Sequence, residues 1–520
     1  MKILKLFFVF FAGCFLNFGQ YMAVDNTFGT NGSIETNIEN PNSSEISNCF
    51  NTADGKIIAI GRYFFNENNF PKSRIRLVKY LNNGTLDTSF GSNGVASSFV
   101  NDNDRVNCSN IQQDDKILVA GRYNDAAQFG AFLARFNTNG SLDTTFGSNG
   151  QIKIPVINNY LTDLSTINSI ALSNDGKILV SGECSQEINN TWVNFGKLLR
   201  FNSNGSVDTT FANNGQLLLY YPTEQININT NLVVKILTDN SILCSGSIND
   251  IGVEQNIALV KFNENGTSLI SSFGLNGVKI INTTTTNNES VFRIIINNDN
   301  SMFLFGSSNE AFNAKLFSNG AFDTSFGTNG VQSYPLISLN SVYYQDKLLY
   351  AGNYRVNPPT NTNTGYVFTQ IDINGVFDSA FNPPSNRFFY DYNPLFQYIT
   401  GMKIINDKLV TFGSTRVGTN QGSGIFFISR FLLNQNLNVN QNSILNSTPK
   451  LYPNPSTGSV NFVFKNETDI IIYDILGQTV FSQNGITKNT LVQSNLKKGF
   501  YLVNYSDKFG EKGTLKMVVE

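Results

Sequence analysis

One eight-residue word occurs seven times along this chain, and that recurrence limits its fold more than any other feature. It reads Asp54-Gly-Lys-Ile-Ile-Ala-Ile-Gly61, then returns as Asp114–Gly121, Asp175–Gly182, Asp239–Gly246, Asp299–Gly306, Gln345–Gly352 and Asn406–Gly413. Its closing glycines lie 60, 61, 64, 60, 46 and 61 residues apart. A second word, Leu86-Asp-Thr-Ser-Phe-Gly-Ser-Asn-Gly94, follows the first. Its copies are Leu142–Gly150, Val207–Gly215, the looser Leu269–Gly277, Phe322–Gly330 and the truncated Phe377–Phe381. Self-similarity at such a period is the mark of a repeat architecture.

Each end of the array holds an orphan. Val24–Gly32 is a second word with no first word before it, and Asn406–Gly413 is a first word with no second word after it. The two complete each other if the segment after Gly32 (Ser33 to Ile38) pairs beside Ile425 to Leu432, which also removes the sheet edges an open array would expose. Within a unit the pattern is that of strands. In the second unit these are Val106–Ile111, Lys116–Ala120, Phe132–Phe136 and Gln151–Val156, with a tight Asn137–Gly140 turn where Asn and Gly tolerate positive φ. Four strands per unit is the blade of a β-propeller. The expected fold is all-β: a seven-bladed β-propeller closed by the N-terminal strand, followed by a small C-terminal β-sandwich.

DGKILVAG-like words, the stretch FLARFNTNGSLDTTFGSNG (132–150) and the spacing near 60 resemble the delta-60 repeat family, a domain-of-unknown-function β-propeller repeat. The resemblance covers roughly residues 24–432 and implies a fold, not an activity. The fifth and sixth units depart from it, being shorter or lacking the Phe-Gly-x-Asn-Gly word.

After an Asn-rich linker (433–447) comes Leu451-Tyr452-Pro453-Asn454-Pro455-Ser-Thr-Gly458, whose prolines exclude a helix. Alternating strands follow over Ser459–Phe464, Asp469–Tyr473, Thr479–Ser482, Thr490–Val492, Gly499–Ser506 and Gly513–Val519, a pattern that suits a small sandwich. The words YPNPSTG, IIIYDILGQTVF (with Tyr473 and Gly477), LKKGFYLVNY (with Gly499 and Tyr501) and GTLKMVVE resemble the type A sorting domain of the type IX secretion system. That resemblance implies that the type IX secretion machinery is a partner and that the product is released or held at the outer cell surface. A permanent accessory sandwich for adhesion is the other reading.

The start of the chain has signal-peptide anatomy: Lys2 and Lys5, an apolar run Leu6–Leu16, then small or polar residues to Gln20. Phe11-Ala12-Gly13-Cys14 also resembles a lipobox with an ill-fitting Phe11. The expected division is therefore a signal peptide over 1–20, repeats of about 60 residues over 21–432, a linker over 433–447 and a sorting domain over 448–520. No span crosses the membrane in the mature chain. Cys49, Cys108, Cys184 and Cys244 remain after cleavage. Cys49 and Cys108 are the best-placed pair for a disulfide, and four small apolar core residues is the simpler reading.

Composition narrows the chemistry. With 36 basic and 38 acidic residues, the net charge of −2 gives no reason to expect a nucleic-acid partner. The chain has no histidine, which removes Ser-His-Asp and Cys-His nucleophilic sites and imidazole-bound zinc. No cofactor, metal or catalytic set is expected. Asn101–Asp104 and Asp372–Gly375 invite a calcium reading, but both fall in turns. Asp87, Asp143, Asp208, Asp323 and Asp378 recur once per unit, which points to a structural role. Function is expected where units differ, in the loops after each closing glycine. Those loops hold the candidate ligand residues Arg62, Tyr63, Arg74, Arg122, Tyr123, Trp192 and Arg416. The expected function is a secreted or cell-surface binding protein with a glycan or protein ligand. Alternatives are a carboxylate- or Tyr-based glycan hydrolase or lyase, and a structural surface component.

Overall fold

A computed structural model describes residues 21–36, 43–68, 70–98, 100, 103–124, 129–156, 164–188, 191–221, 226–249, 255–282, 289–307, 310–334, 340–355, 364–379, 381–382, 387–390, 397–416, 424–435, 450–452, 454–456, 459–464, 466–486, 490–493, 496–508 and 512–520. The expected signal peptide, the lipobox-like Cys14 and residues 436–447 of the expected linker lie outside them. The chain divides into two compact units, 1–436 and 437–520.

Among the described residues the first unit is all-β and holds seven antiparallel sheets. Sheet 1 runs Ser43–Asn51, Ile57–Glu67, Phe70–Tyr80 and Val95–Ser98 in that spatial order. Sheets 2, 3, 5 and 6 repeat this four-stranded meander, starting at Arg105, Thr166, Ser290 and Asn340. Sheets 5 and 6 thus keep four strands despite their divergent words. Sheet 4 adds a short leading strand, Tyr220–Tyr221, before Ile226–Ile236. Sheet 7 comprises Gln397–Ile405, Lys408–Arg416 and Gly424–Gln435, the last running three residues into the expected linker. Its outer positions come from the other end of the chain: Tyr21–Val24 and Ser33–Thr36 both pair with Gly424–Gln435, with Ser33 opposite Ser429 and Thr36 opposite Phe426.

The closing glycine of the first word has a steric cause. The first strand of sheet 1 carries a bulge between Ile46 and Asn48, which brings the Glu45 carbonyl over the second strand. A Cβ on Gly61 would lie 1.9 Å from that oxygen, and the same clash recurs at Gly121, Gly182 and Gly413. Only glycine allows the approach.

The second word is a tie. Asp143 Oδ1 accepts from the amide and hydroxyl of Thr145, while Oδ2 accepts from Arg135 Nε at 2.8 Å and faces Lys116 Nζ at 3.1 Å. The Arg135 guanidinium lies over the Phe146 ring and reaches the Ser203 carbonyl in the next sheet. The Gly147 amide donates to Asn204 O in the same turn. Asp208 repeats the arrangement with Thr210, Arg200, Lys177 and Phe211, with Arg200 reaching Glu264 O. The recurrent aspartates are therefore structural. Phe28, Phe90, Phe146, Phe211, Phe273, Phe326 and Phe381 are all buried, each burial stabilising the fold by about 2–3 kcal/mol.

First strands are tied side to side. Asn107 Nδ2 donates to Ile167 O, the Val234 amide to Ser169 Oγ, Arg293 Nη1 to Ser341 O, Asn340 Nδ2 to Ile399 O, and Thr400 Oγ1 to Ile46 O. The last of these joins sheet 7 to sheet 1.

The second unit is a two-sheet β structure. One sheet holds Lys450–Tyr452, Ser459–Val463 and Thr490–Gln493, and the other holds Thr479–Ile486, Thr468–Tyr473, Gly499–Asp507 and Lys512–Val519. Val460, Phe462, Ile470, Ile472, Val503 and Met517 form its core.

Candidate ligand-binding cleft

Among the described residues, the segments expected as loops after each closing glycine are largely strand. In sheet 1 the second and third strands run on to Glu67 and resume at Phe70, so Arg62, Tyr63 and Arg74 sit on a long hairpin with Tyr63 opposite Arg74. Trp192 is likewise a strand residue, paired with Glu187, and Arg416 pairs with Gly424. The side chains of Trp192 and Arg416 lie outside the described residues. The backbone ladder simply continues past the glycine and holds these segments in the sheet.

The candidates separate into three groups. Tyr123 is 2% exposed and belongs to the core between sheets 1 and 2, so it is no surface anchor. Tyr63 lies beneath the Arg76 guanidinium, 3.6 Å from its ring centroid, and Arg74 stacks on Phe65 at 4.7 Å. Arg62 and Arg122, by contrast, face a common cleft between the hairpin ends of sheets 1 and 2. It has a volume of about 330 Å³ and is lined by Arg62, Phe64, Pro71, Lys72, Ser73, Asn103, Arg105, Arg122 and Asn124. Arg105 was not singled out in the sequence, where it reads as one polar residue at the start of a strand.

Charge in the cleft is unevenly matched. Arg62 Nε binds Glu45 Oε1 at 2.5 Å, and these two residues stand opposite each other in the ladder. Lys72 Nζ pairs with Glu67 at 2.5 Å. At the register where sheet 1 sets Glu45 against Arg62, sheet 2 sets Arg105 against Arg122. Like charges directly opposed destabilise a strand pair. Among the described residues neither arginine forms an ion pair. Arg122 lies 5.6 Å from the Phe129 ring centroid.

The other sequence candidates resolve as structure. Asp372 Oδ1 accepts from the amides of Asn374 and Val376, which is turn chemistry, and Asp104 is buried with its carboxylate on the Val100 amide. Asn101 and Asp102 lie outside the described residues. Cys49, Cys108, Cys184 and Cys244 are free thiols, so the considered Cys49–Cys108 bridge is absent. Burial raises the thiols of Cys49, Cys108 and Cys244, the last to about 12.

In the second unit, Asn454 holds the strand Lys512–Val519 by donating to Lys516 O and accepting from the Val518 amide, both at 2.8 Å. Pro455 follows it through a cis peptide bond. Tyr473 leads into a turn in which Asp474 accepts from Leu476 and Gln478 amides and Gly477 has φ 81°. Tyr501 is buried and donates to Lys497 O at 2.7 Å, two residues before Gly499. Pro453, Gly458 and the Tyr452 side chain lie outside the described residues.

Residues 450–520 match the secretion system C-terminal sorting domain, and residues 52–90, 112–146 and 173–211 match the β-propeller domain of unknown function DUF5122. The chain joins β-propeller repeats to a type IX sorting domain. The sorting domain marks it for export and for a cell-surface or secreted location, and the type IX secretion machinery handles it. Among curated proteins, an endo-acting ulvan lyase of Formosa agariphila is 34% identical over 90 residues, which is 16% of this chain and 17% of that enzyme. The chain thus aligns with about one-sixth of that relative. Among solved structures, PorZ, an essential surface component of the type IX secretion system of Porphyromonas gingivalis, aligns with 94% of this chain and 61% of its own at 13% identity and a TM-score of 0.34. The polysaccharide lyase Uly1 aligns with 77% of this chain and 91% of its own at 8% identity and a TM-score of 0.44. Among the described residues no helix is long and apolar enough to cross a membrane.

Proposed function

We propose that the mature chain is a seven-bladed propeller over 21–432, closed by its N-terminal strands. In this reading it follows a cleaved signal peptide (1–20), is delivered by the sorting domain (448–520), and binds acidic glycans at the cleft between sheets 1 and 2. One observation carries the binding reading: Arg105 and Arg122 stand opposed in register on a cleft that also holds Arg62 and Lys72. Guanidinium donors suit the carboxylates or sulfates of an acidic polysaccharide, which they can engage two bonds at a time. Phe64 adds an apolar wall. The closure reading is supported by the pairing of Ser33–Thr36 with Phe426–Ser429 and by the Thr400–Ile46 bond.

The test is binding of the mature chain to heparin, with a neutral dextran as control. Heparin should bind saturably, more weakly at higher salt, and without being cleaved. Arg105→Glu should weaken it by about tenfold or more, the loss of a hydrogen bond to a charged group plus added repulsion. Equal binding to dextran, or an unaffected Arg105→Glu variant, removes the cleft from the reading, and cleavage of bound polymer replaces binding with a lyase.

A further inference from the structure

A second cavity lies beside the outer strand of sheet 3, Gln216–Leu218, and the turn Asn263–Ser268 of sheet 4. Its volume is about 540 Å³. Cys184, Phe195 and Lys197 line it from within sheet 3, Gln216 and Leu218 from the outer strand, and Thr267 from the turn. Two hydrogen bonds hold the turn against sheet 3: the Ala212 amide donates to Asn265 O at 2.8 Å, and Arg200 Nη1 donates to Glu264 O at 2.6 Å.

Two register positions in sheet 3 account for the cavity and its charge. Opposite the closing glycine, on the third strand, five sheets carry an apolar residue: Phe132, Ala258, Phe312, Val367 and Phe427, all buried. Sheet 3 carries Lys197 there, opposite Gly182 and only 6% exposed. Sheet 1 also carries a cation, Arg76, opposite Gly61. Two residues after the glycine, on the same face of the sheet, sheets 1 and 2 carry Tyr63 and Tyr123. The Tyr63 ring covers Arg76, and Tyr123 fills core space. Sheet 3 carries Cys184 at that position, opposite Phe195. A thiol is too small to cover Lys197 as the ring covers Arg76, and in sheet 3 the space stands open. The buried Phe195 and the 40% exposed Leu218, which stands opposite Lys197, give it apolar surface.

We propose that this cavity binds a small carboxylic acid with an apolar body, its carboxylate on the Lys197 ammonium and its body against Phe195 and Leu218. Small-molecule sites of this size are mostly apolar, with a few charged or polar groups that fix orientation. Lys197 is the one charged residue among the described residues that line it, which suits a ligand with a single negative charge. An ammonium set into a largely buried wall attracts a carboxylate more strongly than one in open water does. Gln216 and Thr267 supply neutral hydrogen-bonding groups beside it. The cavity shares no lining residue with the Arg105–Arg122 cleft, and either site can fail without the other.

The test titrates the mature full-length chain with 2-naphthoate by isothermal calorimetry, with 2-naphthamide as an uncharged probe of similar shape. Naphthoate should bind saturably and about tenfold or more tightly than naphthamide, the difference a hydrogen bond to a charged group makes. Lys197→Met keeps the apolar stem and should remove that advantage. Cys184→Tyr supplies the ring that sheets 1 and 2 carry in this register, and it should abolish binding of both probes. Leu218→Glu alters an exposed position and leaves the core intact. Its carboxylate should weaken naphthoate severalfold and spare naphthamide. Failure of naphthoate to bind the wild type overturns the proposal. So does equal binding of naphthamide, and so does an undiminished naphthoate affinity in any of the three variants that folds. Should Lys197→Met or Cys184→Tyr not fold, the two probes on the wild type and on Leu218→Glu decide the matter.

Discussion

Asp25 and Asp143 occupy the same place in two copies of one word, yet they are used at very different distances along the chain. Asp143 binds Arg135, eight residues before it, and Lys116 of the same unit. Asp25 binds Arg430 Nε and Lys408 Nζ, both at 2.8 Å, across 405 and 383 residues. The surroundings match as well. Thr27 is held by Asp25 as Thr145 is held by Asp143, and Arg430 stacks on Phe28 as Arg135 stacks on Phe146. Arg430 then reaches Asn82 O, and the Gly29 amide reaches Asn83 O, in the turn of sheet 1. The unit of this fold is therefore spatial. A word works when its partners stand beside it, whichever end of the chain supplies it.

If that equivalence is energetic as well as geometric, Asp25→Ala and Asp143→Ala should destabilise the first unit by similar amounts. Each leaves a buried arginine unpaired, at a cost of about 3–5 kcal/mol. Urea unfolding of the two variants compares them directly. A near-silent Asp25→Ala beside a costly Asp143→Ala would mean that the N-terminal strands dock loosely, and it would break the comparison.

Acid separates the same tie from the rest of the fold with a smaller effect. Burial alone pushes the Asp25 carboxyl up, but the hydrogen bonds from Lys408 and Thr27 and the charge of Arg430 outweigh it and hold it at about 2. Asp208 is likewise held at about 2 against its burial by Thr210, Lys177 and Arg200, and Asp143 is lowered in the same way. A carboxylate depressed in the folded state stabilises it fully above the unfolded value near 4, and that contribution is lost as the pH falls through the folded value. Stability should accordingly fall most steeply between about pH 4 and pH 2. Asp25→Asn and Asp208→Asn should each flatten that slope by a similar amount, measured as urea midpoints against pH. Unequal flattening would show that one tie is weaker than its geometry implies.

The difference between these two classes of position explains what was legible in the sequence. Asp, Phe and Gly of the words recur because each meets the same backbone in every sheet, so repetition alone identified them as structural. The strand pattern around Val106–Ile111 and Gly499–Ser506 was readable because short runs with β-branched and aromatic residues lie between turn residues there. The hairpin ends were misread as loops because variation between units looks like loop variation even where the ladder continues. Tyr123 shows the limit of residue type as a guide, since an aromatic in a variable segment can pack inward. Arg105 was missed because its meaning lies in the residue opposite. Register across a ladder is set by the bulge between Val106 and Cys108, and a one-residue shift there would have placed a different side chain against Arg122.

Positions that differ between sheets sharpen the comparison from the other side. Where Glu45 opposes Arg62, the ladder gains an ion pair; where Arg105 opposes Arg122, it carries repulsion. Arg105→Glu recreates the sheet 1 pairing in sheet 2 and should therefore stabilise the fold by about 0.2–1 kcal/mol. Glu45→Arg should cost a similar amount by recreating the sheet 2 pairing in sheet 1. Both shifts are small enough to need paired urea titrations at low salt, where screening is least. A stabilised Arg105→Glu variant that has also lost heparin binding would show that the arginine is kept at the expense of stability for its ligand. An Arg105→Glu variant no more stable than the parent would show that the opposed arginines are already relieved within the fold, and the cleft would then have no electrostatic reason to seek an anion.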